Sequence, residues 1–361
     1  MSVTITKPVK RRPRFHPLEV STVDRLTDDA VAVAFVVPEE LTGAFAFTPG
    51  QHLTVKRGEV RRSYSICSTP MELRERGRLR IGVRQVPGGS FSSYAISDLK
   101  PGDTVEVLPP LGQFTTDLDP LRRKHYAGIV AGSGITPVLS LVATALAVEP
   151  HSRFTLIYGN RYSRSVMFAE ELADLKDRYP DRLHLIHVLS REPRDAELLS
   201  GRLDQARLRA LFGTLVEPST VDEWFLCGPF GMVMDAKAVL KDQPGKVHTE
   251  LFHVEDTPPP PARDTDGEAG ETEVTVRLDG RETSFPMRRD ERVLLAALKV
   301  RPELPYACQG GVCSTCRAKV VDGEVRMAHN YALESDELAA GYVLTCQSSP
   351  VTDRLTVDYD A

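Results

Sequence analysis

The chain has 361 residues, 41% of them hydrophobic, enough for two or three domains with ordinary cores. Its formal net charge of −5 argues against a nucleic-acid binder. No apolar run approaches the ~18 residues of a spanning helix, so no membrane span is expected.

Residues 1–14 form a basic arm with Lys7, Lys10, Arg11, Arg12 and Arg14. It lacks the apolar stretch of a signal peptide, and a solvated tail is the expectation. Residues 15–118 predict an antiparallel β-barrel. Val31–Val37 is a β-branched run, Leu53/Val55 and Leu79/Ile81/Val83 alternate with polar residues, and Thr48-Pro49-Gly50 and Lys100-Pro101-Gly102-Asp103 are turn signals. Two short sequences stand out here: Arg62-Ser63-Tyr64-Ser65, expected just after a strand, and Gly89-Ser90-Phe91-Ser92 with Ser93 behind it.

Residues 124–254 change to alternating strands and helices. The strands are Tyr126–Ala131, Phe154–Tyr158, Leu183–Leu189, Glu223–Leu226 and Lys246–Phe252. Between them, helices are expected near 138–148, 169–179, 203–212 and 232–240. The pattern predicts a doubly wound α/β domain of five parallel strands, whose ligands sit at the strands' carboxyl ends. Gly132-Ser133-Gly134 lies at the first such end, before Ile135-Thr136-Pro137, where a helix N-terminus can accept a pyrophosphate. Cys227-Gly228 closes the fourth strand. By residue type alone, Cys227 reads as a small buried hydrophobe at a strand end, and only its place before Gly228 in this order of motifs points to function.

Residues 255–272 read as a linker, with four consecutive prolines and an acidic remainder. Residues 273–361 hold the most specific signal. Cys308, Cys313 and Cys316 stand in a C-x4-C-x2-C run and Cys346 follows 29 residues later, the plant-type ligand spacing for one [2Fe–2S] cluster. Two irons sharing two sulfides need four thiolates. Gln309-Gly310-Gly311 lets main-chain N–H groups turn toward sulfur. Two disulfides would use the same residues, but six cysteines in this chain are no disulfide scaffold. A structural zinc site wants two C-x2-C pairs, and only Cys313 and Cys316 make one. Asp279-Gly280 is a turn, a hairpin is expected around Asp322-Gly323, a short helix near 335–340 and a last strand at 355–359.

In this order, the motifs resemble the ferredoxin–NADP reductase family, and the whole chain resembles those members that feed multicomponent oxygenases and carry a C-terminal plant-type ferredoxin domain. The carrying stretches are Arg62 to Cys67, Tyr158-Gly159-Asn160-Arg161 with Ser165 to Phe168, and Asn330 to Glu334 through Tyr342 to Gln347. The resemblance implies a multi-domain protein: an antiparallel FAD barrel, a doubly wound nucleotide domain and an α+β β-grasp ferredoxin. It further implies Arg62 on the FAD pyrophosphate, Tyr64 on the ring face, Ser65 at N5, and Gly89, Ser92 and Ser93 at the phosphates. Gly132, Gly134, Thr136, Cys227 and Gly228 would surround the dinucleotide, with Ser65, Thr136 and Cys227 at the hydride path. Phe252, expected to end the last strand, would cover the flavin, with core packing an equal expectation.

Arg161 and the pair Ser190-Arg191 resemble a 2′-phosphate contact, favouring NADPH over NADH. A solvent-exposed pairing of these arginines with Glu192 is the alternative. The implied route is NADPH to FAD to the cluster to the diiron oxygenase component of a multicomponent complex, in the cytoplasm. A ketosteroid hydroxylase is the alternative acceptor, and a redox sensor with a silent flavin site the third reading. Six acids among residues 334–360 against one base, Arg354, suggest a surface for a basic partner. Met327-Ala328-His329-Asn330 departs from the acidic residue expected near the cluster.

Overall fold

The computed structural model describes residues 14–252 and 270–361. The basic arm, apart from exposed Arg14, and most of the 255–272 linker lie outside the described residues. Residues 15–252 belong to one compact unit and residues 270–361 to a second.

In the first unit, β1 (His16–Thr27), β2 (Ala30–Val36), β3 (His52–Arg57), β4 (Val60–Ser65), β5 (Arg78–Arg84) and β6 (Thr104–Leu111) form an antiparallel sheet in the order β4-β3-β6-β1-β2-β5. The Ile66–Ile81 bridge closes it into the expected barrel. The inward residues Leu18, Val20, Val33, Phe35, Leu53, Val55, Ile81 and Val83 are essentially inaccessible and form its core. Helix α1 (Pro70–Arg76) is locally specified. Thr69 and Glu72 close a capping box, proline opens the first turn and Gly77 ends it at φ 59°. Helix α2 (Ser90–Ser97) starts from Gly89.

The parallel sheet follows: β7 (His125–Ala131), α3 (Ile135–Val148), β8 (Arg153–Asn160), α4 (Ala169–Arg178), β9 (Leu183–Leu189), α5 (Gln205–Phe212), β10 (Glu223–Cys227), α6 (Phe230–Leu240) and β11 (Lys246–Glu250). Its order is β11-β10-β7-β8-β9, so the chain reverses direction between β7 and β10. That switch point is where a doubly wound sheet opens a crevice. The last strand ends at Glu250, two residues short of Phe252.

Helix α3 is buried on nearly every side because it packs on both the sheet and the barrel. Ala30, Ala32, Cys67 and Phe114 share one apolar core with its Val138, Leu139 and Leu141. The Ser140 hydroxyl donates to Ser68 O at 2.7 Å. Arg80 grips Glu171 through two hydrogen bonds of 2.8 and 2.5 Å, with its guanidinium over the Phe168 ring.

In the second unit, β12 (Glu271–Leu278), β13 (Arg281–Arg288), α7 (Val293–Leu298), β14 (Arg317–Asp322), β15 (Val325–Met327), α8 (Ser335–Ala339), β16 (Tyr342–Leu344), β17 (Ser348–Pro350) and β18 (Arg354–Asp358) follow in turn. The main sheet is ordered β13-β12-β18-β14-β16, with β12 and β18 parallel, as a β-grasp requires. Helix α7 buries Val293, Leu294, Ala296 and Ala297 in the core beneath it. Asp279 and Gly280 both take positive φ, the turn a two-residue hairpin needs.

Three expectations are corrected. Strand β12 begins at Glu271, so Glu271 and Thr272 are strand and not linker. The Asp322-Gly323 turn does not join a hairpin: β14 pairs with β16 and β18, while β15 pairs with β17. Gly323 is required there because a Cβ would lie 2.1 Å from Arg354 O. The Arg62-Ser63-Tyr64-Ser65 motif lies within β4 and not after it.

Candidate functional site

The strand period of two sorts the barrel motif. Arg62 and Tyr64 face one side of β4, Ser65 the other. Tyr64 packs on Phe91 of α2, ring centroids 5.4 Å apart, and burial raises its phenol pKa. Arg62 is exposed beside it, its Nη1 donating to Arg61 O at 2.8 Å. Gly89 caps α2, and a Cβ there would meet Ser92 Oγ at 2.4 Å. The Ser92 hydroxyl is turned inward, accepting from Val86 N at 3.2 Å. Ser93 sits one residue further, its N–H bonded to Gly89 O at 3.2 Å.

At the switch point the strand ends converge. A Cβ on Gly134 would fall 2.1 Å from Cys227 O, so the first glycine loop and the end of β10 touch through backbone alone. Gly228 is similarly confined: a Cβ there would lie 2.7 Å from Met232 Cε and 3.1 Å from Ala131 N. Thr136 is buried, its hydroxyl bonded to Ser133 O at 3.0 Å and its methyl against Gly82 of the barrel. Cys227 is buried, and burial raises its thiol pKa. Its neighbour across the ladder is Glu250, whose Oε2 accepts from Ser65 Oγ at 2.8 Å. Burial lifts the Glu250 carboxyl to about 8. Barrel and sheet thus bring Ser65, Glu250 and Cys227 together. Phe252 is 39% exposed, which removes the core-packing alternative.

The two turns expected at the second ribose are adjacent, with Ser190 N bonded to Asn160 O and Arg191 N to Arg161 O, both at 2.9 Å. Arg161 and Arg191 are exposed. Glu192 takes neither; its carboxylate accepts from Ser163 N and Oγ at 2.8 and 3.0 Å, which lowers its pKa.

In the second unit, the cysteines fall into two pairs. Cys308 and Cys313 share a hydrogen bond, as do Cys316 and Cys346. The first bond holds the Cys308 thiol down to about 6, and the second lowers Cys346. Main-chain N–H groups of Gly310, Val312 and Cys313 point at the Cys308 sulfur, Gly310 N at 3.3 Å. Gly311, at φ +79°, leaves only 3.1 Å for a Cβ before Gln347 Cγ, whereas Gly310 has no such neighbour. Among the described residues, no three His, Cys, Asp or Glu side chains converge on one ion. Two pairs suit two irons with two thiolates each, and not a single zinc. Five of the six acids expected to form a partner surface serve the fold: Glu334 caps α8, Glu337 pairs with Arg317, Asp353 with Arg289, Asp358 accepts from Asp360 N, and Asp360 accepts from Asp279 N and Gly280 N.

Comparisons with known proteins follow the same divisions. Residues 17–116 match the oxidoreductase FAD-binding domain, 129–238 the oxidoreductase NAD-binding domain and 276–351 the 2Fe-2S iron-sulfur cluster binding domain. The chain is 46% identical to a component chain of 1,2-phenylacetyl-CoA epoxidase from Escherichia coli (strain K12), across 96% of this chain and 98% of that one. The chain belongs to the oxygenase reductases that join FAD-binding, NAD-binding and [2Fe–2S] domains. It is also 34% identical to the ferredoxin reductase component of 3-ketosteroid-9-alpha-monooxygenase from Rhodococcus rhodochrous, across 95% of this chain and 96% of that one. Among solved structures, phthalate dioxygenase reductase has the same fold, with TM-score 0.59 and 24% identity over 95% of this chain and 98% of its own. An intact type IV self-sufficient cytochrome P450 monooxygenase matches with TM-score 0.69 and 23% identity over 99% of this chain and 42% of its own.

Two groups of this reductase escape a reading by motif. Glu250 is one; an acid at the carboxyl end of a parallel strand was its only signal. Arg84, at the end of β5, is the other. Asp29 holds its Nε at 2.8 Å, and its Nη1 lies 2.9 Å from where a Cβ on Gly132 would stand, at the first glycine loop. No stretch of sequence links a barrel arginine to a loop 48 positions on.

Proposed function

We propose that this reductase draws its electrons from NADPH and delivers them to the diiron oxygenase component of a phenylacetyl-CoA epoxygenase, in phenylacetate catabolism. Its coarse activity is that of its family, electron transfer from a nicotinamide dinucleotide to an oxygenase partner. When bound, the nicotinamide supplies two electrons as hydride, the flavin passes them on singly and the cluster carries each out.

The protein's own groups do the positioning. Arg62 grips the flavin pyrophosphate, with Gly89 and α2 behind it, and Tyr64 offers its ring as a platform. Ser65, oriented by Glu250, would offer its hydroxyl to the flavin on the side where Cys227 and Thr136 lie. Gly132 and Gly134 open the N-terminus of α3 to the dinucleotide phosphates, and Arg84 adds a cation there. Phe252, exposed two residues past the end of β11, would be the residue to cover the flavin ring. The 2′-phosphate is taken by Arg161, Ser190 and Arg191; Glu192 is engaged by Ser163 and so leaves both arginines available. Cys308 with Cys313 and Cys316 with Cys346 hold one iron each. Thiolates that must stay reduced suit the cytoplasm.

The observation that carries this reading is the pairing of the four cysteines in a chain 46% identical to a phenylacetyl-CoA epoxidase component along its whole length. The test is cytochrome c reduction by the purified protein with NADPH and NADH side by side, then electron delivery to the candidate epoxygenase. Equal use of both nucleotides would end the NADPH assignment. Failure to support epoxidation would end the partner assignment while leaving the reductase intact.

A further inference from the structure

Gln347 follows the fourth cysteine and is 8% exposed. A glutamine buried so deeply must find partners for its amide. Its Nε2 lies 2.8 Å from Gln309 O and 3.7 Å from Cys346 Sγ. The carbonyl of Gln309 decides the orientation, because an amide oxygen facing a carbonyl oxygen would repel it. The nitrogen therefore faces inward, one N–H toward Gln309 O and the other toward the Cys346 sulfur.

The residue is anchored through its main chain. Gln347 N donates to Leu344 O at 2.8 Å, while its main-chain carbonyl accepts from Ala328 N at 2.9 Å and Arg292 Nη1 at 2.8 Å. Gly311 leaves the space its methylenes occupy, since a Cβ there would come within 3.1 Å of Gln347 Cγ.

We infer that Gln347 is a positioning residue that sets the reduction potential of the [2Fe–2S] cluster, by donating a hydrogen bond to the Cys346 sulfur and fixing the cysteine loop through Gln309. This rests on the cluster assignment proposed above. One electron arriving from the flavin adds one negative charge to the cluster and its thiolates. A donor aimed at a ligand sulfur stabilises that reduced form more than the oxidised one, which raises the potential. Only the difference in that bond's strength between the two redox states moves the potential; a tenfold change in the one-electron equilibrium, ~59 mV, sets the scale of the expected shift.

The experiment is an EPR-monitored redox titration of the full-length holoprotein and of Gln347→Leu and Gln347→Glu, with iron content measured and the FAD potential as internal control. Leucine removes the donor and keeps the bulk. Glutamate replaces the donor with an acceptor. The cluster potential falls about tenfold in equilibrium terms for Leu, further for Glu, with the FAD couple unmoved. A fully loaded Leu variant at the wild-type potential overturns the inference. So does wild-type protein labelled with 15N only in glutamine side-chain amides, if pulsed EPR of the reduced cluster detects no 15N coupling; that measurement stands even if the variants lose the cluster. Wild-type chain that binds no cluster would sink the assignment itself.

Discussion

Replacing Glu250 by glutamine tests whether a protonated carboxyl orients Ser65. Burial raises this group from 4.5 to about 8. At ~1.36 kcal/mol per unit, the protonated form is favoured by on the order of 5 kcal/mol, a ceiling that residual solvent access reduces. The native protein therefore keeps a proton that an unfolded glutamate releases above pH ~4.5. Stability falls as pH rises from about 4.5 to about 8, then levels off. The same ionisation places a negative charge beside the Ser65 hydroxyl, on the proposed hydride path, so flavin reduction is expected to slow above pH 8. Glutamine keeps an oxygen for Ser65 Oγ to donate to and has nothing to titrate. Alanine leaves that hydroxyl unpaired, at about 1–3 kcal/mol or roughly 5- to 150-fold in rate. Anaerobic stopped-flow flavin reduction by NADPH from pH 6 to 9.5 reads all three. The wild type should bend near pH 8. Glu250→Gln should lose that bend and fall less than Glu250→Ala at pH 6.5. A bend near pH 8 that survives in Glu250→Gln would show that another group titrates and that the argument is wrong.

Cys313→Ser should abolish cytochrome c reduction but spare ferricyanide reduction by the flavin, with the visible absorption of the cluster lost. Arg191→Ala should remove the proposed charge-assisted contact to the 2′-phosphate, worth about 1.5–3 kcal/mol, so KM for NADPH should rise roughly 10- to 150-fold while KM for NADH stays put. Gly134→Ala forces a Cβ to within 2.1 Å of Cys227 O; backbone must move, and a lower melting temperature with weakened dinucleotide binding is expected. A Gly134→Ala protein that melts and binds as wild type would show that the loop has slack.

Architecture was legible because its signals are local. Alternation along β5, the Ala/Leu/Val run of α3 and the Asp279-Gly280 turn each carry their own reason for strand, helix or hairpin. The misread pieces were those whose partner is distant. Asp322-Gly323 resembles a hairpin turn, yet its glycine answers to Arg354 O, 31 positions on. Glu271 and Thr272 look polar enough for a linker, yet Glu271 pairs with Arg288 at the end of β13 and the Thr272 hydroxyl with Thr352 O.

At the site, the same division holds with a chemical consequence. The cysteine spacing names the proposed cluster ligands because three of the four are neighbours, and folding only has to deliver Cys346. Ser65 is legible through Arg62 and Tyr64, whereas Glu250, 185 positions away, has no motif of its own. It becomes visible only when the barrel and the parallel sheet share one apolar core, with α3 between them, and the end of β11 meets the end of β4. That shared core is also what holds the Ser65–Glu250 bond, since neither half of the unit carries both residues. A mutation that loosens α3 against Ala30, Cys67 and Phe114 is therefore expected to affect hydride transfer before it affects cofactor content, because the contacts proposed for each cofactor lie largely within one half while the carboxyl–hydroxyl pair spans the two.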